Sequence, residues 1–315
     1  MAREPRNVAA SIRARLLALA RGTRRDFQLV LTSYALERLL YRLSMSRHRT
    51  RFVLKGALLF TAWLDDPFRP TRDLDLLGSG RAEADAVARV FREILSRPVG
   101  DDGLVFDVKG LRASAIREAA RYGGIRVETT ATLERARVPV RVDIGFGDAV
   151  TPAPAEIAYP TLLDSPAPRV RAYPRETVVA EKLEAITSLG LVNSRMKDFY
   201  DLCMLARHFD FDGRTLAEAV ANTFRRRGTP VPASLPDGLT DAFAGRRETQ
   251  AQWRAFTSRD RLATEIAAFS VCVSEIGRFV GPVLEAIRDP GATPGRWPPG
   301  GPWQQRRRRQ RNPCA

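Results

Sequence analysis

The sequence predicts an α+β protein, with a first half of mixed strands and helices followed by an all-helical second half. Three observations carry that prediction. Runs alternating polar and apolar residues, the period of a half-buried strand, are confined to the chain before residue 150. Apolar residues at helical spacing dominate after residue 175. Between these textures Pro152, Pro154, Pro160, Pro166, Pro168 and Pro174 interrupt every periodicity, so 151–175 is expected to be a connection. With 315 residues, 44% of them apolar, the chain is long enough for about two domains with a core.

Residues 1–50 are expected to form helices that pack on a core, over Val8 to Ala20 and Asp26 to Met45. In the second helix Phe27, Leu31, Tyr34, Leu39 and Leu43 recur near helical spacing. The core, 51–150, opens with the apolar run Phe52-Val53-Leu54 ending in Lys55-Gly56, then helical composition from Ala57 to Trp63. A turn at Arg69-Pro70-Thr71 precedes the alternating Asp73-Leu74-Asp75-Leu76-Leu77. An Ala- and Arg-rich helix follows over Arg81 to Leu95, then strands over Leu104 to Val108, Ile125 to Thr132 and Val138 to Ile144. The helical domain, 176–287, contains helices over Glu176–Leu189, Ser194–His208, Arg214–Arg227 and Arg259–Ile287, with Ser194 as an expected N-cap. From 288 on, Pro and Gly dominate and an Arg run follows, a composition expected to remain a disordered basic tail that truncation after Ile287 removes without harm.

Composition excludes several classes. No stretch approaches the roughly 20 apolar residues of a membrane helix, and Met1 to Val8 lacks the apolar core of a signal peptide, so a soluble cytoplasmic protein is expected. Three distant cysteines, Cys203, Cys272 and Cys314, supply neither a disulfide framework nor a Cys-rich zinc site. Only His48 and His208 are present, which disfavours His-dependent triads, and no GxxxxGK[ST] or HExxH motif occurs. The net charge is +15, and 47 of its 51 cations are arginine. Seven Arg and one Asp from Arg288 onward leave +9 on the body, which suits a partner rich in phosphate.

The chemistry-bearing pattern is Lys55-Gly56-Ala57, a gap of 15 residues, then Asp73-Leu74-Asp75-Leu76. Carboxylates at i and i+2 of a strand share a face about 7 Å apart along it, a spacing from which both reach one hard cation. A glycine at a strand-to-helix turn lets backbone N–H groups approach a triphosphate. Asp143, in the alternating run Val140-Arg141-Val142-Asp143-Ile144, is a half-buried acid that requires a metal or a cation such as Arg141 or Arg126. Further along, Lys182 lies at the margin of a helix stripe formed by Val178, Val179, Leu183 and Ile186, with Glu181 and Glu184 as ordinary partners. Asp198 and Asp201 stand one helical turn apart.

Together these segments resemble the AbiEii/AbiGii nucleotidyltransferase toxins of type IV toxin–antitoxin and abortive-infection systems. The resemblance runs from about Asp26 to Phe256 and is most specific in Leu191-Val192-Asn193-Ser194-Arg195-Met196-Lys197-Asp198-Phe199-Tyr200-Asp201-Leu202. It implies a polymerase-beta-like nucleotidyltransferase core of mixed sheet and helices, completed by an all-helical C-terminal domain. It also implies an NTP donor, with tRNA acceptor ends as targets in mycobacterial members, and a cognate antitoxin. Residue by residue, Gly56 matches the phosphate-loop glycine, flanked by Lys55 and by Ala57, which stands where Gly or Ser is usual. Asp73 and Asp75 match the paired metal ligands, Asp143 the third carboxylate, Lys182 the third-motif lysine and Asp198 the fourth-motif acid, with Asp201 as a nucleotide contact.

In this reading Asp73, Asp75 and Asp143 hold Mg²⁺, in a site with room for a two-metal arrangement, and Lys182 neutralises phosphate charge. The expected function is Mg-dependent transfer of NMP from NTP to RNA, blocking translation, with Asp73→Asn and Lys182→Ala each abolishing it in a folded protein. Alternatives are a nucleotidyltransferase acting on a small molecule or protein, a metal-dependent nuclease, and a non-catalytic nucleic-acid-binding protein.

Overall fold

The computed structural model describes residues 7–64, 71–116, 123–259, 268–289, 291–292 and 294–305. The predicted turn at Arg69-Pro70, residues 260–267 of the last predicted helix and the Arg run of 306–311 lie outside them. The described residues divide into two compact units, one within Met1–Asp148 and Pro154–Tyr173, the other within Ala149–Ala153 and Pro174–Ala315.

The first unit begins with α1 (Val8–Gly22) and α2 (Phe27–Ser44). Asn7 and Asp26 cap them, their carbonyl or carboxylate oxygens accepting from Ala10 N and Leu29 N at 3.0 Å each. The sheet and its remaining helices follow as β1 (Phe52–Lys55), α3 (Leu58–Trp63), β2 (Asp73–Gly78), α4 (Ala84–Leu95), β3 (Leu104–Phe106), β4 (Arg112–Ile116), β5 (Gly124–Leu133), β6 (Ala136–Phe146), β7 (Ala155–Ala158) and β8 (Arg169–Ala172). Spatial order is β3-β5-β6-β2-β1-β8-β7, with β4 also on β5. At the centre β2 runs parallel to β6, while β1–β2 and β5–β6 are antiparallel. This is the expected mixed sheet.

Strict alternation decides which face does what. Leu74 and Leu76 of β2, Val127 of β5 and Val140, Val142 and Ile144 of β6 are buried, and α1, α2 and α4 pack on the sheet. Burying each such side chain contributes about 1.5–3 kcal/mol. The intervening positions, Asp73, Asp75, Arg126, Glu128, Arg141 and Asp143, stand on the other face. Helix α2 is buried almost all round and carries charges inward. Arg42 forks onto Asp102 at 2.5 and 3.1 Å, and Glu37 accepts from Leu162 N at 2.7 Å.

The expected connection over 151–175 is corrected by β7 and β8. Strand β8 joins β1 in parallel, Leu54 opposite Ala172, and β7 extends it antiparallel. The six prolines all fall outside these strands, at their ends and in the loop between them, where a missing N–H removes no ladder bond.

The second unit contains α5 (Arg175–Leu189), α6 (Met196–His208), β9 (Phe211–Asp212), α7 (Gly213–Arg227), α8 (Asp241–Gly245), α9 (Arg247–Arg259), α10 (Phe269–Arg288) and β10 (Arg296–Trp297). Phe199, Phe243, Phe269 and Trp253 make its aromatic centre, with ring centroids 5.1–6.0 Å apart. The expected Ser194 cap does not form; Asn193 Oδ1 instead accepts from Arg195 N at 2.8 Å in the turn before α6.

The larger correction concerns the tail. Residues 294–305 are not a solvated extension of the helical unit. Strand β10 pairs with β9, Trp297 is buried and donates to Ala206 O at 2.7 Å, and Trp303 stacks on Phe279 and donates to its carbonyl at 2.9 Å. Gly301, at φ +72°, lies so close to the Trp297 ring that a Cβ there would come within 2.5 Å of it. Glycine here serves both the left-handed backbone and the close approach of the ring.

Candidate active site

On the polar face of the sheet, pairing register sets four charges in one row. Lys55 stands opposite Asp75, Asp75 opposite Asp143, and Asp143 opposite Arg126, from β1 through β2 and β6 to β5. Directly paired residues lie about 5 Å apart and point to the same face. Two residues away runs a second row, Asp73, Arg141 and Glu128. There Arg141 bridges the two acids at 3.6 Å to Asp73 and 3.3 Å to Glu128.

The two rows are held differently. Arg126 grips Asp143 with a full fork, Nε to Oδ1 and Nη2 to Oδ2 at 2.7 Å each. That carboxylate pushes the Arg126 guanidinium pKa above its ordinary value. Lys55 Nζ donates to Asp148 Oδ2 at 2.8 Å and lies 5.2 Å from the Tyr173 ring centre.

Gly56 adopts φ +74°, and a Cβ there would land on the Asp75 carboxylate. This position admits only glycine for two separate reasons, backbone conformation and space. Ala57 begins α3, with Leu59 N and Phe60 N closing the turn onto Gly56 O and Ala57 O.

The residues fit a hard divalent cation by their chemistry. Asp73, Asp75 and Asp143 offer only carboxylate oxygens, and two of them face each other across adjacent parallel strands. A phosphate brought to the Gly56 turn would also meet Asp75, a like-charge encounter that a cation resolves. Among the described residues, though, no three His, Cys, Asp or Glu gather as a ready metal-holding group. The three aspartates share a face; Arg126 and Arg141 hold two of them.

In the second unit α5 and the first turns of α6 build a separate charge cluster. Lys182 Nζ reaches Asp198 Oδ1 at 2.9 Å and Asp201 Oδ2 at 2.8 Å. Asp198 and Asp201 are 3% and 0% exposed. Arg195 Nε lies 2.9 Å from Asp198 Oδ2, but without the alignment of a hydrogen bond. Burial pushes the Asp198 carboxyl up, and the Lys182 and Arg195 charges outweigh it, holding the group below the usual carboxylate value. The ordinary partners expected for Lys182 are otherwise engaged: Glu181 and Glu184 both pair with Arg227, at 3.4 and 2.8 Å.

A family model described as "Nucleotidyl transferase AbiEii toxin, Type IV TA system" matches residues 38–274, three quarters of the chain. The chain belongs to the AbiEii family. AbiEii membership makes it a nucleotidyltransferase toxin of a type IV toxin–antitoxin system, with a nucleotide substrate and a cognate antitoxin. No curated protein matches the sequence. Two solved structures from Helicobacter pylori are similar to it: a candidate nucleotidyltransferase at 16% identity, and JHP933 at 14%. Each has a TM-score of 0.48 and covers 84% of this chain, with 97% and 96% of its own chain aligned. Among the described residues no helix is long and apolar enough to cross a membrane.

Sequence reasoning named Lys55, Gly56, Asp73, Asp75 and Asp143, and register brings all five to one part of the sheet. It weighed Arg126 only as an ordinary partner and missed Asp148 and Arg195. The signal for Arg126 was present: Ile125-Arg126-Val127-Glu128 alternates like the strand that carries Asp143.

Proposed function

We propose that this AbiEii nucleotidyltransferase uses Mg²⁺ and an NTP donor to transfer NMP onto RNA, the tRNA acceptor end being the target, and so blocks translation in the cytoplasm. The observation that carries this reading is the in-register pair Asp75–Asp143 with Gly56 pressed against Asp75. It provides a place where a triphosphate and two carboxylates meet, which is stable only with a cation among them.

In this reading Asp73 and Asp75 are the ligands. The bound Mg²⁺ supplies charge neutralisation and Lewis-acid polarisation of the phosphates. Gly56 and Ala57 give the triphosphate backbone-close access, with Lys55 beside them, positioned by Asp148 and Tyr173. Asp143 completes the ligand set and orients the attacking RNA hydroxyl. Within the helical unit, Lys182 is the cation proposed for neutralising phosphate charge, and Asp198 and Asp201 fix the direction of its amine. Asp201 serves the nucleotide through that amine, because its own carboxylate is fully buried. Catalysis of this kind is mostly positioning and charge stabilisation. The +9 of the body supports a polyanionic acceptor.

The test is incubation with each labelled NTP, Mg²⁺ and total tRNA. Asp75→Asn is expected to lower label transfer by about 100-fold or more, as removal of a principal charge-stabilising group does. Transfer to a protein or a small molecule instead of RNA would contradict the acceptor, and equal labelling by Asp75→Asn would contradict the metal assignment.

A further inference from the structure

Asp143 is subject to two competing demands. As a ligand it would present an oxygen to a divalent cation; in the structure both oxygens are taken by Arg126. A cation placed between Asp75 and Asp143 would sit within a few ångströms of that guanidinium, where like charges repel. The fork and the cation therefore compete for one carboxylate. Arg141 is placed differently, spanning Asp73 and Glu128 at 3.3 Å or more without a fork on either. Arg112, opposite Glu128 on β4, is further from the aspartate pair.

The charge pattern of the row also explains why a fork belongs there. Asp75 and Asp143 face each other at about 5 Å, and like charges directly opposite on a sheet destabilise it. Arg126 supplies the missing positive charge at one end of the row and Lys55 at the other.

We propose that Arg126 is the resident counter-ion of the metal site: it occupies Asp143 while no cation is bound and must release it for a cation to enter. Arg126 is thus a positioning residue that sets how tightly the site binds metal before any nucleotide arrives. This rests on the metal reading above.

The test is binding of Mn²⁺ alone to the full chain, without nucleotide and at fixed ionic strength, reading free Mn²⁺ by electron paramagnetic resonance. Arg126→Gln is expected to bind Mn²⁺ roughly tenfold tighter than wild type, because a forked, partly buried pair no longer has to be broken. Arg126→Lys, which keeps the charge and loses the fork, falls between them. Arg112→Gln makes the same change in net charge and is expected to stay within about twofold of wild type, being screened and outside the row. Adding Asp143→Asn to Arg126→Gln abolishes the gain. Unchanged or weaker binding by Arg126→Gln overturns the proposal, as does equal tightening by Arg112→Gln, which would reduce the effect to net charge. If Arg126→Gln fails to fold, judged by circular dichroism, Arg126→Lys decides alone, with tightening of at least about threefold expected. No Mn²⁺ binding by wild type and Arg126→Gln alike would remove the metal site itself, a result distinct from the other failures.

Discussion

The two charge clusters of this protein are built on opposite plans. On the sheet, Lys55, Asp75, Asp143 and Arg126 are spaced by strand register, and the Arg126–Asp143 pair is partly open to solvent. Between α5 and α6, Lys182 is wedged between two carboxylates that solvent scarcely reaches. Register fixes where charges stand without fixing what they hold; helix packing fixes both. The first plan suits a site that must admit ions and substrate, and the second suits a group whose direction must not change.

This contrast is sharpest in stability. Lys182→Ala leaves Asp198 and Asp201 buried without their shared cation, which is expected to cost about 3–5 kcal/mol of unfolding free energy. Asp75→Asn on the sheet face is expected to cost less than about 1 kcal/mol. Denaturant titration of both variants checks the pair, and equal costs would break the comparison. Loss of activity in Lys182→Ala therefore does not separate chemistry from folding, contrary to the expectation from sequence; Asp75→Asn does.

Trp297→Ala tests whether the helical unit depends on its last segment. Emptying the space against Phe211, Phe279 and Ala206 is expected to cost about 3–5 kcal/mol, measured by the same titration. Truncation after Ile287 should be at least as damaging. A truncated chain as stable as the full one would return this segment to the status of an appendage.

Smaller than the losses at Lys182 and Trp297 is a pH dependence in the sheet unit. Burial raises the Glu37 carboxyl to about 7, against the Leu162 N–H bond and the Arg38 charge that pull it down. The folded state thus holds a proton that the unfolded chain releases near 4.5, so the associated stability is present at low pH and is lost as pH rises through about 7. Glu37→Gln, which imitates the neutral acid, is expected to flatten the stability profile between pH 5 and 7 by on the order of 2 kcal/mol. An unchanged slope would show that Glu37 stays ionised beside Arg38.

The sequence carried more of the site than of the architecture around it. Alternation alone placed Asp73, Asp75 and Asp143 on strand faces, because a period of two is a local property that burial of Leu74, Leu76, Val142 and Ile144 enforces. Composition misled at both proline-rich segments. It averaged over Trp297, which is buried, and Trp303, which stacks on Phe279, two side chains that anchor the segment to the helical unit, and over prolines that merely frame β7 and β8.

By itself, then, the sequence determined the strand-and-helix division, the glycine at the turn, the strand-borne acids and the family they belong to. Only the tertiary structure decided which charges meet: that Asp143 faces Asp75 and is held by Arg126, and that Lys182 turns to Asp198 and Asp201 while Arg227 takes Glu181 and Glu184. The reason is physical. Periodicity follows from each segment's own backbone, whereas the partner of a charge depends on register and packing between segments distant in the chain.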